Sequence, residues 1–307
     1  MTLQQMEYIV AVDKYRHFVT ASEQCGVTQP TLSTMIQRLE EELGTKIFDR
    51  SKHPVEPTAI GVRIIRQAEV TLAEMRRIRE LVENESGTLA GPLRIGIIPT
   101  LAPYLVPDLI RILQQTYPAI QLTIYEMNTQ SLIGELHKGL IDMMIAATPL
   151  EQPDFLEIPV YYEKFVAYFA DPSVCPEKGL SADQMPEGNL WVLQEGHCLR
   201  DQTFNFCKNY SGYNKTYEAG SIDTLIKIVD KNGGYSVIPE LHLPFLSEQQ
   251  RANVREISSP PAVREISLII RRDFIKERML NAVADTIKQI IPEEMLDARM
   301  KKFAIRL

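Results

Sequence analysis

A helical N-terminal head, one long solitary helix and a two-lobed α/β body make up the architecture that this sequence predicts, and three observations predict it. Apolar residues recur at helical spacing through the first sixty or so positions, with turn signals between the runs. A single helical pattern then continues to about residue 85. From residue 92 onwards, short β-like apolar runs alternate with helical ones, the pattern of a parallel sheet. At 307 residues, 45% of them hydrophobic and 24% charged, the chain has the length for two or three domains and the apolar content to bury real cores.

The head begins with Leu3, Met6, Ile9 and Val10 at helical spacing, followed by a short helix near 19–25 that is buried through Ala21 and Cys25 and stopped by Gly26. Thr28 is a suitable N-cap for a third helix, Pro30 suits its first turn, and Leu32, Ile36 and Leu39 form its inward stripe. No acidic residue occurs from Thr28 to Leu39, although Glu40, Glu41 and Glu42 follow at once. The outward residues Thr28, Gln29, Pro30, Thr31, Ser33, Thr34, Gln37 and Arg38 are therefore small, polar or basic, a surface that fits a DNA major groove. The unit reads as a helix-turn-helix; the alternative is a small helical bundle with solvated polar faces.

Residues 48–54 are turn-rich and basic, as in a wing whose Arg50 and Lys52 reach phosphates. The long pattern that follows carries Ile64, Ala68, Leu72, Met75, Ile78 and Val82 along one side. So narrow an apolar seam needs a partner, and the helix reads as a dimerisation element, the alternative being that it packs on its own chain. A dimer would present two reading heads to a two-fold-symmetric site. Ser86-Gly87 and Gly91-Pro92 mark a hinge. The expected division is 1–57 for the head, 58–91 for the linker helix and hinge, and 92–307 for the body.

In the body, strands are expected at 93–98, 120–125, 141–147, 165–170, 190–193, 235–238 and 265–271, and helices at 104–115, 130–138, 222–230 and 277–290. The chain leaves one sheet near Tyr162 and returns near Ser267, which implies one lobe of about 92–162 with 267–307, a second of about 163–266, and a cleft between them. Thr100 and Thr129 each fall just after a strand, at a helix start on the cleft side; simple capping is the competing reading for both. The stretch 292–307, with Arg299, Lys301, Lys302 and Arg306, reads as a solvated tail rather than a helix at a subunit contact.

No metal-ligand spacing, phosphate-binding glycine loop or nucleophile elbow occurs, so no ordinary enzyme and no cofactor is indicated. The formal net charge of −7 argues against indiscriminate coating of nucleic acid, so any DNA contact must be local. Without a membrane-length apolar run or a secretory leader the chain is expected in the cytoplasm, where its four cysteines are thiols and any disulfide is transient. Cys198 and Cys207 lie nine positions apart in a helix-forming segment. On a helix that spacing is about 13.5 Å of rise on opposite sides, whereas a disulfide needs Cα atoms within about 7 Å, so joining the two would unwind the segment. Two buried cysteines acting as small hydrophobes are the plain alternative. Cys25 reads as packing, and Cys175 has no assigned role.

The stretch Ala21-Ser22-Glu23-Gln24-Cys25-Gly26-Val27-Thr28-Gln29-Pro30-Thr31-Leu32-Ser33, with Leu39-Glu40 and Leu43-Gly44, resembles the LysR-type transcriptional regulators, and the three-part organisation extends that resemblance over essentially the whole chain. The resemblance implies a winged helix-turn-helix, a linker helix and a two-lobed regulatory domain like that of periplasmic binding proteins. Within the family, His197-Cys198-Leu199-Arg200-Asp201-Gln202 followed by Cys207, with Ile98-Pro99-Thr100, is similar to the members that sense hydrogen peroxide. It implies that Cys198 is the peroxide-reactive thiol and Cys207 the resolving one, and that Thr100, Thr129, His197, Asp201 and Arg271 line the peroxide pocket. The implied partners are double-stranded promoter DNA, hydrogen peroxide, RNA polymerase, thiol reductants such as glutaredoxin or thioredoxin, and further copies of the chain in a homodimer or homotetramer. The implied function is activation, with repression as a second mode, of oxidative-stress genes. A small organic effector in the cleft, and repeated turnover as a thiol peroxidase, are the rival functions.

Overall fold

The computed structural model of the chain describes residues 1–84, 89–174, 180–181, 185–186, 189–206, 217–258 and 260–305. Cys175, Cys207, Arg306 and the Ser86-Gly87 part of the expected hinge lie outside the described residues. The chain divides into two packing units, Met1–Ser86 with His137–Leu140, and Gly87–Leu136 with Ile141–Leu307.

The first unit is built from α1 (Leu3–Tyr15), α2 (Phe18–Gln24) and α3 (Gln29–Leu43), then a two-stranded antiparallel wing, β1 (Phe48–Asp49) and β2 (Glu56–Pro57), and the long α4 (Ala59–Asn84). Local chemistry sets the boundaries. Thr2 and Gln5 form a reciprocal capping box at the start of α1. Thr28 caps α3 with Pro30 in its first turn, and Gly44 ends α3 in a left-handed conformation that glycine adopts without strain. Tyr8, Ile9, Val12, Ala21, Leu32, Ile36, Leu39 and Phe48 form the core, and α4 joins it through Ile65 and Ala68. Of the expected seam on α4, Ala68 is buried, Ile64, Leu72 and Met75 are half-buried, and Ile78 stands 61% exposed with Leu81 close by at 50%. The side chain of Val82 lies outside the described ones.

The second unit is a sheet ordered β4 (Ile120–Glu126), β3 (Gly91–Ile97), β5 (Met143–Thr148), β9 (Val263–Arg271), β6 (Phe155–Phe169) and β7 (Tyr235–Pro239), with β8 (Val254–Glu256) also paired to β6. The parallel β4–β3–β5 edge is made by crossovers through α5 (Ala102–Thr116) and α6 (Thr129–His137). The long strand β6 carries the chain from one lobe to the other. Its first part pairs antiparallel with β9, from Phe155 opposite Arg271 to Lys164 opposite Val263, and its last part pairs with β7 and β8. Two cores result. Leu93, Ile95, Leu105, Met143, Leu268 and Val283 centre the first, covered by α5 and α10 (Glu277–Ile290). Phe165, Tyr168, Leu225, Val229, Tyr235 and Val237 centre the second, to which α7 (Cys198–Phe206) and α8 (Ile222–Asn232) contribute, while the short α9 (Glu248–Ala252) buries none of its residues.

Three expectations need correction. The returning strand begins at Val263 rather than near Glu265, its first two residues pairing with β6 before Glu265 pairs with Thr148 of β5. Residues 190–193 form isolated bridges, Leu190 to Tyr235 and Leu193 to Ala219, instead of a strand. The C-terminal stretch is not a solvated tail: 3-10 turns at Glu293–Leu296 and Ala298–Phe303 lead to Ile305, whose N–H donates to the carbonyl of Val263 at 2.8 Å, and Met295 is buried. Its cations had suggested solvation, but the apolar residues between them dock the stretch.

Candidate functional site

In the first unit the helix-turn-helix presents Thr28, Gln29, Pro30, Thr31, Thr34, Gln37 and Arg38 as exposed residues of α3 and its cap, with Ser33 half-buried. The Thr28 hydroxyl lies 2.8 Å from that of Thr31, and Gln37 donates to Glu41 at 3.1 Å. Arg50 at the wing is held rather than trailing: its guanidinium donates to the Ser33 hydroxyl at 3.1 Å and stacks over the Phe18 ring at 5.0 Å. The anchor beneath is Glu40, 2% exposed, whose Oε1 accepts from the N–H groups of Ile47 and Phe48 at 2.8 and 3.2 Å. Lys52 pairs with Glu56 across the wing. One surface thus carries helix α3 and the Arg50 cation in fixed register.

In the second unit Cys198 is the first residue of α7 and is 5% exposed, packed in the first core, while its neighbour Leu199 packs in the second. Gly196, with φ +91°, turns the chain into this position, and its carbonyl accepts from the Thr129 N–H at 3.4 Å. The Thr129 hydroxyl lies 2.7 Å from Cys198 Sγ. It does not cap α6, because the Asn128 carboxamide oxygen takes the Ser131 N–H at 2.9 Å instead. Thr100 is likewise no cap. Its hydroxyl accepts from Arg264 Nη1 at 3.0 Å and its carbonyl from Arg264 Nη2 at 3.2 Å.

Arg264, which the sequence reading did not single out, is the arginine that bonds to Thr100, and Arg271 does not. Seven residues along an extended strand separate the two by about 23 Å. Arg271 lies at the far end of β9, opposite Phe155, and pairs with Asp273 at 2.9 Å. Arg264 has no exposed side-chain surface and sits opposite Glu163, whose Oε2 accepts from its Nε and Nη2 at 2.7 and 2.6 Å. The signal was present in Val263-Arg264-Glu265-Ile266-Ser267-Leu268, where polar residues interrupt a strand buried from Val263 to Ile270. His197 and Asp201 also differ from expectation. His197 is 4% exposed and burial pushes its imidazole below its ordinary value, so it is neutral at pH 7 and supplies no cation. Asp201 is exposed, and its charge works against a Cys198 thiolate.

Burial is the largest influence on the Cys198 thiol and pushes it above the ordinary value; the Thr129 bond and the Arg264 charge pull the other way without winning. The reduced sulfur is therefore a protonated thiol near neutral pH, with a hydroxyl and a cation arranged to favour the small thiolate fraction. Among the described residues no group of three or more His, Cys, Asp or Glu side chains could hold a metal ion, and no helix is long and apolar enough to cross a membrane.

Residues 3–62 match the bacterial regulatory helix-turn-helix model of the lysR family, and residues 86–291 match the LysR substrate binding domain model. The chain belongs to the LysR family. A LysR-family relative from Haemophilus influenzae, named hydrogen peroxide-inducible genes activator, is 34% identical over 95% of this chain and 99% of its own. The DNA-binding transcriptional dual regulator OxyR of Escherichia coli K12 is 34% identical over 88% of this chain and 90% of its own. Full-length OxyR of Pseudomonas aeruginosa, a cysteine-to-aspartate variant, superposes with a TM-score of 0.76 at 34% identity and covers 94% of this chain and 95% of that one. A hydrogen-peroxide-bound OxyR variant of Corynebacterium glutamicum covers 100% of this chain and 97% of that one, with a TM-score of 0.62 at 28% identity.

Proposed function

We propose that this LysR-family chain is a DNA-binding regulator of hydrogen-peroxide-response genes, switched by reversible disulfide formation between Cys198 and Cys207. The observation that carries the reading is the buried Cys198 thiol with the Thr129 hydroxyl 2.7 Å from its sulfur and Arg264 contributing positive charge. The relatives' names, hydrogen peroxide-inducible genes activator and OxyR, support it.

In the first step the Cys198 thiolate attacks one peroxide oxygen, the O–O bond breaks, and the departing oxygen takes a proton to leave as water, giving a sulfenic acid. In the second the Cys207 sulfur attacks Cys198, the S–OH bond breaks, and a second water leaves. Two electrons pass from the thiol pair to peroxide. The pocket comprises Thr100, Thr129, Cys198 and Arg264, with His197 as a neutral neighbour. The α3 face with Arg50 and Lys52 reads promoter DNA as a homodimer or homotetramer built through α4. RNA polymerase is the partner for activation, and a dithiol reductant such as glutaredoxin or thioredoxin resets the switch. The protein is not a turnover enzyme: without reductant it consumes about one peroxide per subunit.

The test is non-reducing peptide mass spectrometry after near-stoichiometric peroxide, with unreacted thiols trapped before digestion. A Cys198–Cys207 crosslink that a dithiol reverses is expected. Both thiols remaining reduced would remove the proposal. The Cys198→Ser/Cys207→Ser protein should bind the promoter with a footprint that no longer changes with peroxide.

A further inference from the structure

The buried pair of Glu163 and Arg264 is not needed to hold β6 and β9 together, since the strands already pair from Phe155 to Lys164. It is also an unusual place for charge. Both side chains have no exposed surface, and burying two ions costs more than packing two apolar residues of the same size. What the pair does is fix a cation. Two guanidinium nitrogens fall on Glu163 Oε2, and the remaining Nη1 and the shared Nη2 fall on the hydroxyl and carbonyl of Thr100. The other Glu163 oxygen accepts from the Leu241 N–H at 3.1 Å, so the carboxylate is itself held in place.

We propose that Glu163 is a positioning residue that commits the Arg264 guanidinium to Thr100 and thereby withholds it from Cys198, keeping the resting sulfur a thiol. The inference rests on the reading of Cys198 as the reacting thiol. Burial pushes the Glu163 carboxyl upward, and the guanidinium and the Leu241 N–H pull the other way; two guanidinium nitrogens at 2.6 and 2.7 Å on one carboxylate oxygen make the contact a charge-assisted pair. Remove that charge and Arg264 becomes a buried cation without a carboxylate. The Cys198 thiol is a group on which the Arg264 charge already acts and which can become an anion. The groups that face the pair are Tyr104, Tyr161 and Glu240, and those that act on Cys198 are Thr129, Arg264 and Asp201. Both tyrosines are pushed upward by burial and remain neutral, so neither can replace the carboxylate.

The experiment measures the pH midpoint of Cys198 alkylation by iodoacetamide in the full-length reduced protein, resolved by peptide mass spectrometry with Cys25 as internal reference. For Glu163→Gln the midpoint should fall by about one pH unit, an approximately tenfold gain in thiolate at pH 7. Loosened packing would instead raise the rate at every pH and leave the midpoint in place. In an Arg264→Gln background the same Glu163→Gln change should leave the midpoint unmoved. A midpoint that stays or rises in Glu163→Gln, or falls equally in both backgrounds, overturns the proposal. Should Glu163→Gln fail to fold, Glu163→Asp, which keeps the charge one methylene further away, should lower the midpoint by a smaller amount, and no change there overturns it as well. Alkylation involves no peroxide, so a wild-type protein that peroxide leaves unoxidised is the failure of the sensor reading, whereas an unmoved alkylation midpoint in Glu163→Gln is the failure of this one.

Discussion

Replacing Thr129 with valine keeps the shape of the side chain and deletes the hydroxyl that lies 2.7 Å from Cys198 Sγ. A hydrogen bond to an ionised acceptor contributes about 1.5–3 kcal/mol, against about 0.5–1.5 kcal/mol for a neutral one, so the hydroxyl favours thiolate over thiol by roughly 1 kcal/mol. At about 1.4 kcal/mol per pKa unit, its loss should raise the Cys198 midpoint by about 0.7 pH units and leave roughly fivefold less thiolate at pH 7. Stopped-flow oxidation by excess peroxide, followed by the change in intrinsic fluorescence, should slow by about the same factor at pH 7, the gap closing at high pH where both proteins are fully ionised. The fold should not change, because Asn128 rather than Thr129 caps α6. Oxidation at the wild-type rate across the whole pH range would refute the reasoning, as would a deficit of equal size at every pH, which indicates lost peroxide binding and not lost thiolate.

Other outcomes follow from the same geometry. Because burial sets the Cys198 thiol above its ordinary value, wild-type oxidation should quicken about tenfold per pH unit from pH 6 to 8, and a flat profile in stopped flow would contradict that assignment. Arg50→Ala should lower the slope of log K against log salt for promoter binding by about 0.9 for each phosphate that is no longer neutralised; an unchanged slope with a lower Tm would reduce Arg50 to its structural role beside Ser33 and Phe18. Asp142 is pushed up by burial, but bonds from Arg94 and the charge of Lys276 outweigh this and hold it below its ordinary value. Its stabilisation is thus present above the unfolded carboxylate value and lost as pH falls through the lower folded one. Asp142→Asn should cost about 3–5 kcal/mol at pH 7 in urea unfolding, with the difference from wild type shrinking below about pH 4.

The elements legible in the sequence were those whose period is strong and local. The stripe Leu32, Ile36, Leu39 and the Thr28 cap gave α3, and the apolar run through Met143, Met144 and Ile145 gave β5, because a fully buried strand carries its environment in its composition. The second Cys198 neighbour, Thr129, was legible as a position after a strand, though its hydroxyl serves the sulfur rather than the helix. What failed was everything that depends on register between distant segments. Arg264 and Arg271 both sit in β9, and only the pairing of Glu163 with Arg264 across 101 positions shows which one faces Thr100. Burial of His197 was illegible for the same reason: an imidazole next to a cysteine reads as a potential cation until its surroundings remove the proton.

The proposed disulfide cannot be a local event, and the described helix alone is sufficient to show it. From Cys198 to Phe206 α7 is continuous, which places their Cα atoms about 12 Å apart at 1.5 Å per residue. One further residue moves the chain by no more than about 3.8 Å, so Cys207 cannot come within the roughly 7 Å that a disulfide requires while α7 persists. Unwinding α7 dismantles what it holds. Cys198 leaves the first core and Leu199 the second, the Thr203 hydroxyl is parted from the Leu199 carbonyl, and Arg200 gives up the geometry that sets it 3.0 Å from Glu218. Gln202 faces the carbonyl of Ile305, and Ile305 is bonded to Val263 at the start of β9, one residue before Arg264. Closing a loop of ten residues constrains the unfolded chain by only about 3 kcal/mol, so the oxidised form carries the cost of dismantling these interactions. Under the proposed switch, a disulfide formed against such a cost would be easily reduced, and the loss of the same interactions would register its formation in both lobes.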